Sequence, residues 1–84
     1  MAVAGIDQRA SVALAALKRR EKHTRRAFNE SDALLLEAKA AHRRKPNAAT
    51  LAQVDVAERD RRRARTAWIN AYDARELAET GGAR

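Results

Sequence analysis

The chain has 84 residues, 18 Lys and Arg against 11 Asp and Glu, a formal charge of +7 and no cysteine. Such a length supports one small domain, disulfides and thiolate metal sites are excluded, and the charge favours acidic partners: nucleic acid, anionic lipid or an acidic protein surface. The opening "MAVAGID" lacks a charged segment followed by a long apolar run, so no signal peptide is read there, and no window approaches the ~18 apolar residues of a membrane span. The expected location is the cytoplasm, or a particle assembled in it.

Gly and Pro punctuate only Gly5, Pro46, Gly81 and Gly82, and between them lie two long segments rich in Ala, Leu, Glu, Lys and Arg. That composition predicts helix, and no alternating pattern predicts a strand. Helix 1 is expected over about 7–44 with Asp7 as its cap, the turn at about 45–49, helix 2 over about 50–79, and a short tail at 80–84. Pro46 disfavours helical geometry at Lys45. Helix 2 has two candidate starts: Asn47 as cap, or Thr50 as cap with Gln53 three residues on. Two long helices and a short loop predict an all-α fold, a long antiparallel coiled-coil-like hairpin.

On a wheel of 100° per residue, Ile6, Ala10, Ala13, Leu17, Thr24, Phe28, Ser31, Leu35 and His42 share a stripe, with Leu14 and Leu34 flanking it. Leu51, Val54, Ala57, Ala64, Trp68, Ala71 and Tyr72 form the stripe of helix 2. Leu17, Phe28, Leu35, Val54, Trp68 and Tyr72 are therefore the expected seam. Glu21, Arg61, Arg65 and Arg75 interrupt it. With the loop centred near Asn47, paired positions sum to roughly ninety-three, which brings Arg61 to Asp32 and Arg75 to the turn holding Glu21. Cross-helix ion pairs are the expectation there, and they fix register more than stability.

Two basic clusters stand out. Lys18, Arg19, Lys22, Arg25 and Arg26 fall on the face opposite Leu17 and Phe28, while Arg59, Arg62 and Arg63 lie in helix 2 beside Asp55, Glu58 and Asp60. A solvated face is the ordinary reading of such runs. The alternative is a positive band that neutralises phosphates without reading bases, since no helix-turn-helix, zinc-finger or stacking-aromatic pattern is present.

Roughly a quarter of the chain is Ala, a helix former that buries little area, so the core is expected to be marginal. Leu34, Leu35 and Leu36 are consecutive and cannot all be hidden. Leu36, Ile69, Val56 and Leu77 lie off the seam and are expected to form a second contact surface with another protein, either a copy of this chain or a larger assembly. Catalysis has no footing: His23 and His42 lack a ligand at i+4, no Ser or Thr has a base partner at a fixed spacing, and no Gly-rich phosphate loop exists. No cofactor, metal or small-molecule substrate is expected. The expected function is a non-enzymatic assembly or interaction module, such as a small component of a phage virion or similar particle. Sequence-independent nucleic-acid binding is the alternative.

Overall fold

The computed structural model of the protein describes residues 2–81, with side-chain surroundings described from residue 10 onward. It is an antiparallel hairpin of two helices, α1 (Ala2–Arg44) and α2 (Ala48–Glu79). The start of α1 differs from the expected one: the helix is already running at Ala2, so Asp7 lies within it rather than capping it. The side chains of Ile6 and Asp7, and Gly82 at the expected stop, lie outside the described residues.

The turn is tighter than the sequence predicts, only Lys45, Pro46 and Asn47. Asn47 decides this, in extended geometry with its side chain capping the new helix. Its Oδ1 accepts from the Thr50 backbone N–H at 2.9 Å, while the Asn47 N–H donates to the Thr50 hydroxyl at 3.2 Å. This reciprocal box satisfies two otherwise orphaned donors, and it makes Thr50 the third helical residue instead of the cap. The Thr50 hydroxyl also lies 2.8 Å from the Lys45 carbonyl and 2.8 Å from His42 Nδ1. One hydroxyl proton cannot serve every acceptor; donation to Lys45 leaves His42 Nδ1–H as donor, stitching the end of α1 to the start of α2. His42, Arg43 and Arg44 occupy the last turn of α1, where cations complement the helix dipole. At the far end, Gly81 takes φ 78° and its N–H donates to the Ala78 carbonyl, a left-handed stop that only glycine adopts without cost.

The seam follows a seven-residue repeat. Leu14, Glu21, Phe28, Leu35 and His42 recur at one position of α1 with Leu17, Thr24, Ser31 and Ala38 between them; every one is at least partly sheltered. On α2 the line is Val54, Arg61, Trp68 and Arg75, alternating with Ala57, Ala64 and the fully buried Ala71. Small residues between large ones let the two helices interdigitate. Thr24 and Ser31 are tolerated because their hydroxyls donate to carbonyls of their own helix, Arg20 or Glu21 for Thr24 and Phe28 for Ser31.

Four expected stripe positions are corrected, Tyr72, Leu51, Ala10 and Ala13, with Leu51 50% exposed on the edge line of Tyr72. Tyr72 is 41% exposed, because the seam turns from Trp68 through Ala71 to Arg75 and leaves Tyr72 one residue off at its edge. Ala10 and Ala13 are exposed because α2 stops too early: its last cross-helix contact is Glu79 with Lys18 at 3.6 Å. The stretch of α1 before Leu14 therefore projects past α2 by roughly 18 Å at 1.5 Å per residue.

The hairpin measures 66 × 21 × 13 Å. Its thinnest dimension is about that of a single helix with its side chains, so both broad faces are open. Among the described residues only Leu35, Val54 and Ala71 form a buried apolar core, and no large side chain is fully buried.

Candidate interaction surfaces

The seam is a polar lock as much as a core. Arg75 donates from Nε and Nη2 to the two carboxylate oxygens of Glu21 at 2.8 and 3.0 Å, a bidentate pair across the hairpin. Its Nη1 donates to Glu76 and Glu79, both at 2.9 Å, and its guanidinium carbon sits 4.9 Å from the Tyr72 ring centre. The hydrogen bonds from Arg75 hold the Glu21 carboxyl below its ordinary pKa of 4.5, with the Arg75 and Arg25 charges adding to them and burial opposing. The Glu21 carboxylate in turn pushes the Arg75 guanidinium further above its already high pKa. One heptad pair further on, Arg61 donates from Nε to Asp32 at 2.8 Å and lies 5.2 Å from the Phe28 ring centre. Phe28 stacks on Trp68 with centroids 5.6 Å apart and planes 12° from parallel. Register is thus written in ion pairs and one aromatic stack. The Trp68 Nε1–H is buried there without an acceptor.

Leu35 and Val54 are the buried part of the expected seam; Leu17, Phe28 and Trp68 are half-buried. The four residues expected to form one contact surface do not share one. The heptad places Leu77 on the line of Val56, whereas Ile69 lies beside Tyr72 across the seam, so they belong to opposite faces of the slab. Leu36 falls on the same side as Ile69. All four are exposed: Leu36 62%, Val56 52%, Ile69 40% and Leu77 62%.

The Val56 face carries a groove between the helices. Ser31, Leu34 and Ala38 of α1 and Gln53, Val56 and Asp60 of α2 line an apolar hollow of about 360 Å³. Towards the loop it continues into a second of about 440 Å³, rimmed by Glu37 and Arg44. A third, of about 470 Å³, brings Arg20 of α1 together with Arg62, Arg63 and Asn70 of α2. Arg20 is two heptads before Leu34, and Ala67 in the same hollow is one heptad after Asp60, so this hollow lies on the same face. Arg20 and Leu34 are the residues that the sequence reading passed over: one stood outside the basic patch, the other was only a flank of the seam. Their seven-residue spacing from other groove residues was the signal.

The opposite face is shallower. Trp68, Ile69 and Tyr72 line a hollow of about 150 Å³, and the exposed Leu51 falls on the line of Tyr72. Lys18, Arg19, Lys22, Arg25 and Arg26 are exposed on this side of α1 and its outer edge, with Arg59 at the outer edge of α2. Lys18 is engaged by Glu79. Among the described residues no carboxylate lies within 4 Å of Arg19, Arg20, Lys22, Arg25, Arg26, Arg59, Arg62, Arg63 or Arg65, so most of the positive charge is unneutralised.

Among the described residues no group of three or more His, Asp or Glu could hold a metal ion, and no helix is long and apolar enough to cross a membrane. His23 and His42 stand apart on α1, and His42 is occupied with Thr50. Comparison with protein-family models, with curated proteins and with solved structures finds no match.

Proposed function

We propose that this chain is a non-enzymatic assembly module, a hairpin whose fold is completed by burying its broad faces against protein. One observation carries the reading: a slab one helix thick buries only Leu35, Val54 and Ala71 as its core while leaving Val12, Leu34, Leu36, Leu51, Val56, Ile69 and Leu77 40–67% exposed. A core this small rarely supplies more than a few kcal/mol in a chain under about 80 residues. Covering one face would remove several of these side chains from water, each worth about 1.5–3 kcal/mol when fully buried. Such a module suits a particle built from repeated subunits, a phage virion or similar assembly.

The test is helicity and thermal unfolding by circular dichroism across a wide concentration range. A midpoint that rises with concentration supports self-assembly by mass action. A weakly helical monomer supports completion by another protein. A fully helical monomer that unfolds cooperatively at a concentration-independent midpoint overturns the reading.

The nine cations without a carboxylate neighbour favour a second reading, sequence-independent binding of a nucleic-acid backbone. It predicts duplex binding that weakens steeply between 50 and 200 mM salt. Replacing Arg25, Arg26, Arg62 and Arg63 together by Gln should abolish it. Salt-independent binding, or none at low salt, removes it.

A further inference from the structure

We infer that the hollow walled by Arg20, Arg62 and Arg63 seats the sugar–phosphate backbone of duplex nucleic acid; this rests on the second reading above and gives it a site. The first argument is that pairing the helices gathers like charge. Arg20 comes from α1, Arg62 and Arg63 from α2, around a hollow of about 470 Å³. Arg61 and Arg75 on the same helix each hold a carboxylate across the seam. The three arginines of the hollow hold none. Asp60 and Asp73 stand within one turn of its ends, yet among the described residues no carboxylate lies within 4 Å of any of the three. Each guanidinium is a planar fork open to phosphate oxygens.

The shape of the charge gives the second argument. Arg59, Arg63, Thr66 and Asn70 follow in steps of four, three and four residues, so they form one exposed stripe along α2. The stripe runs about 16 Å at 1.5 Å per residue, the length of roughly five phosphates of one strand at 3.4 Å each. Arginines fill its loop end and neutral hydrogen-bonding groups its open end, with Arg20 on the α1 side. Arg, Thr and Asn side chains are common partners of backbone phosphates.

What the hollow lacks selects the ligand. Its only apolar residue is Ala67, so it has no aromatic or aliphatic anchor of the kind that centres a protein interface. A slab 13 Å thick cannot enclose a small phosphate ester as ligand pockets do, so the anion is one held along its length. Single strands are held by stacking bases on aromatics, but Phe28 and Trp68 stack on each other and Tyr72 lies on the opposite face. A duplex offers phosphates with its bases already stacked. Protein covering the Leu36 and Ile69 face leaves the hollow open to it.

The experiment adds the full chain to labelled, mixed-sequence duplex DNA and reads fluorescence anisotropy. Two double variants remove equal charge: Arg20→Gln with Arg63→Gln in the hollow, and Lys39→Gln with Lys45→Gln at the loop end. None of these four residues makes an ion pair within the hairpin, so circular dichroism should show both variants as helical as the parent. At about 50 mM salt the hollow variant should bind at least tenfold more weakly than the parent, and the slope of log affinity against log salt should shrink by about two. The loop-end variant should stay within about threefold of the parent, since it leaves the phosphate contacts in place. When duplex is added to the parent, the Asn70 side-chain amide signals should shift while the methyls of Leu36 and Ile69 stay in place.

Equal weakening in the two variants overturns the hollow and leaves backbone binding intact. Shifts confined to the Leu36 and Ile69 face overturn the hollow whatever the variants do. A parent that binds no duplex at low salt removes the second reading and the hollow with it. Polyglutamate bound as tightly as duplex, charge for charge, overturns nucleic acid in favour of an acidic protein surface. A single strand bound more tightly than duplex overturns the duplex.

Discussion

Arg75 directs four N–H groups at three carboxylates, Glu21, Glu76 and Glu79, while keeping only 15% of its side-chain exposure. Removing the Glu21 carboxylate takes away the bidentate cross-helix partner of that guanidinium, while Glu76 and Glu79 on its own helix still hold Nη1, so the tie between the helices is what weakens. Glu21→Gln should therefore lower the thermal midpoint at neutral pH. The acid dependence follows from the depressed Glu21 pKa. A carboxyl held below 4.5 in the fold stabilises it at pH above 4.5, and that contribution is lost as pH falls through 4.5 to the folded value. The gap between parent and Glu21→Gln midpoints should thus narrow from pH 7 to pH 3; a constant gap contradicts the lock. Leu35, 7% exposed and the largest core residue, should cost about 2–3 kcal/mol on truncation to Ala by urea titration, whereas Tyr72→Ala at the seam's edge should cost clearly less.

The residues that sequence placed correctly and those it misplaced differ for one geometric reason. Arg61 with Asp32 and Arg75 with Glu21 were legible because a three-residue turn fixes which levels of two helices meet. Tyr72 was misplaced because a wheel at 100° per residue drifts about 20° per heptad from a strict seven-residue seam. Over the stretch from Val54 that drift is enough to align Tyr72 with Val54 on paper, while Ala71 takes the buried place.

Among the elements, the loop junction and the overhang carry opposite expectations. Asn47 and Thr50 cap each other and tie α2 to His42, so Asn47→Ala should cost about 1 kcal/mol and the larger effect should come from Thr50→Ala, which removes the hydroxyl that meets the Asn47 N–H, the Lys45 carbonyl and His42 while leaving the backbone bond to Asn47 Oδ1. Equal midpoints for both variants and the parent would show the junction to be energetically idle. Residues 10–13 lie exposed beyond the seam, so their amides should exchange faster than those of residues 28–38 in dilute protein, and gain protection on assembly. Uniform exchange along α1 at every concentration contradicts an overhang covered by a partner. The composition could not reveal this stretch, since nothing in α1 itself records where α2 ends; only the Gly81 stop, read against the loop position, fixes the mismatch in length.

Across the whole molecule, helix content and hairpin topology were plain from composition, punctuation and loop length. The division of its surface was not. Leu36, Ile69, Val56 and Leu77 read as one patch in sequence because each is off the seam, yet a slab has two faces and they divide between them. Arg20, outside the basic patch read from sequence, meets Arg62 and Arg63 only once the helices are paired. These surfaces belong to neither helix alone, which is why charge runs suggested a band while the paired helices set Asp60 and Glu37 along one part of a groove and Arg20, Arg62 and Arg63 along another.

The most direct measurement is the solution mass of nuclease-treated protein by multi-angle light scattering at moderate salt. The account predicts a discrete species of at least twice the 9.3 kDa chain mass, or a poorly helical single chain that another protein completes. A species of single-chain mass that is fully helical and cooperatively folded would contradict it.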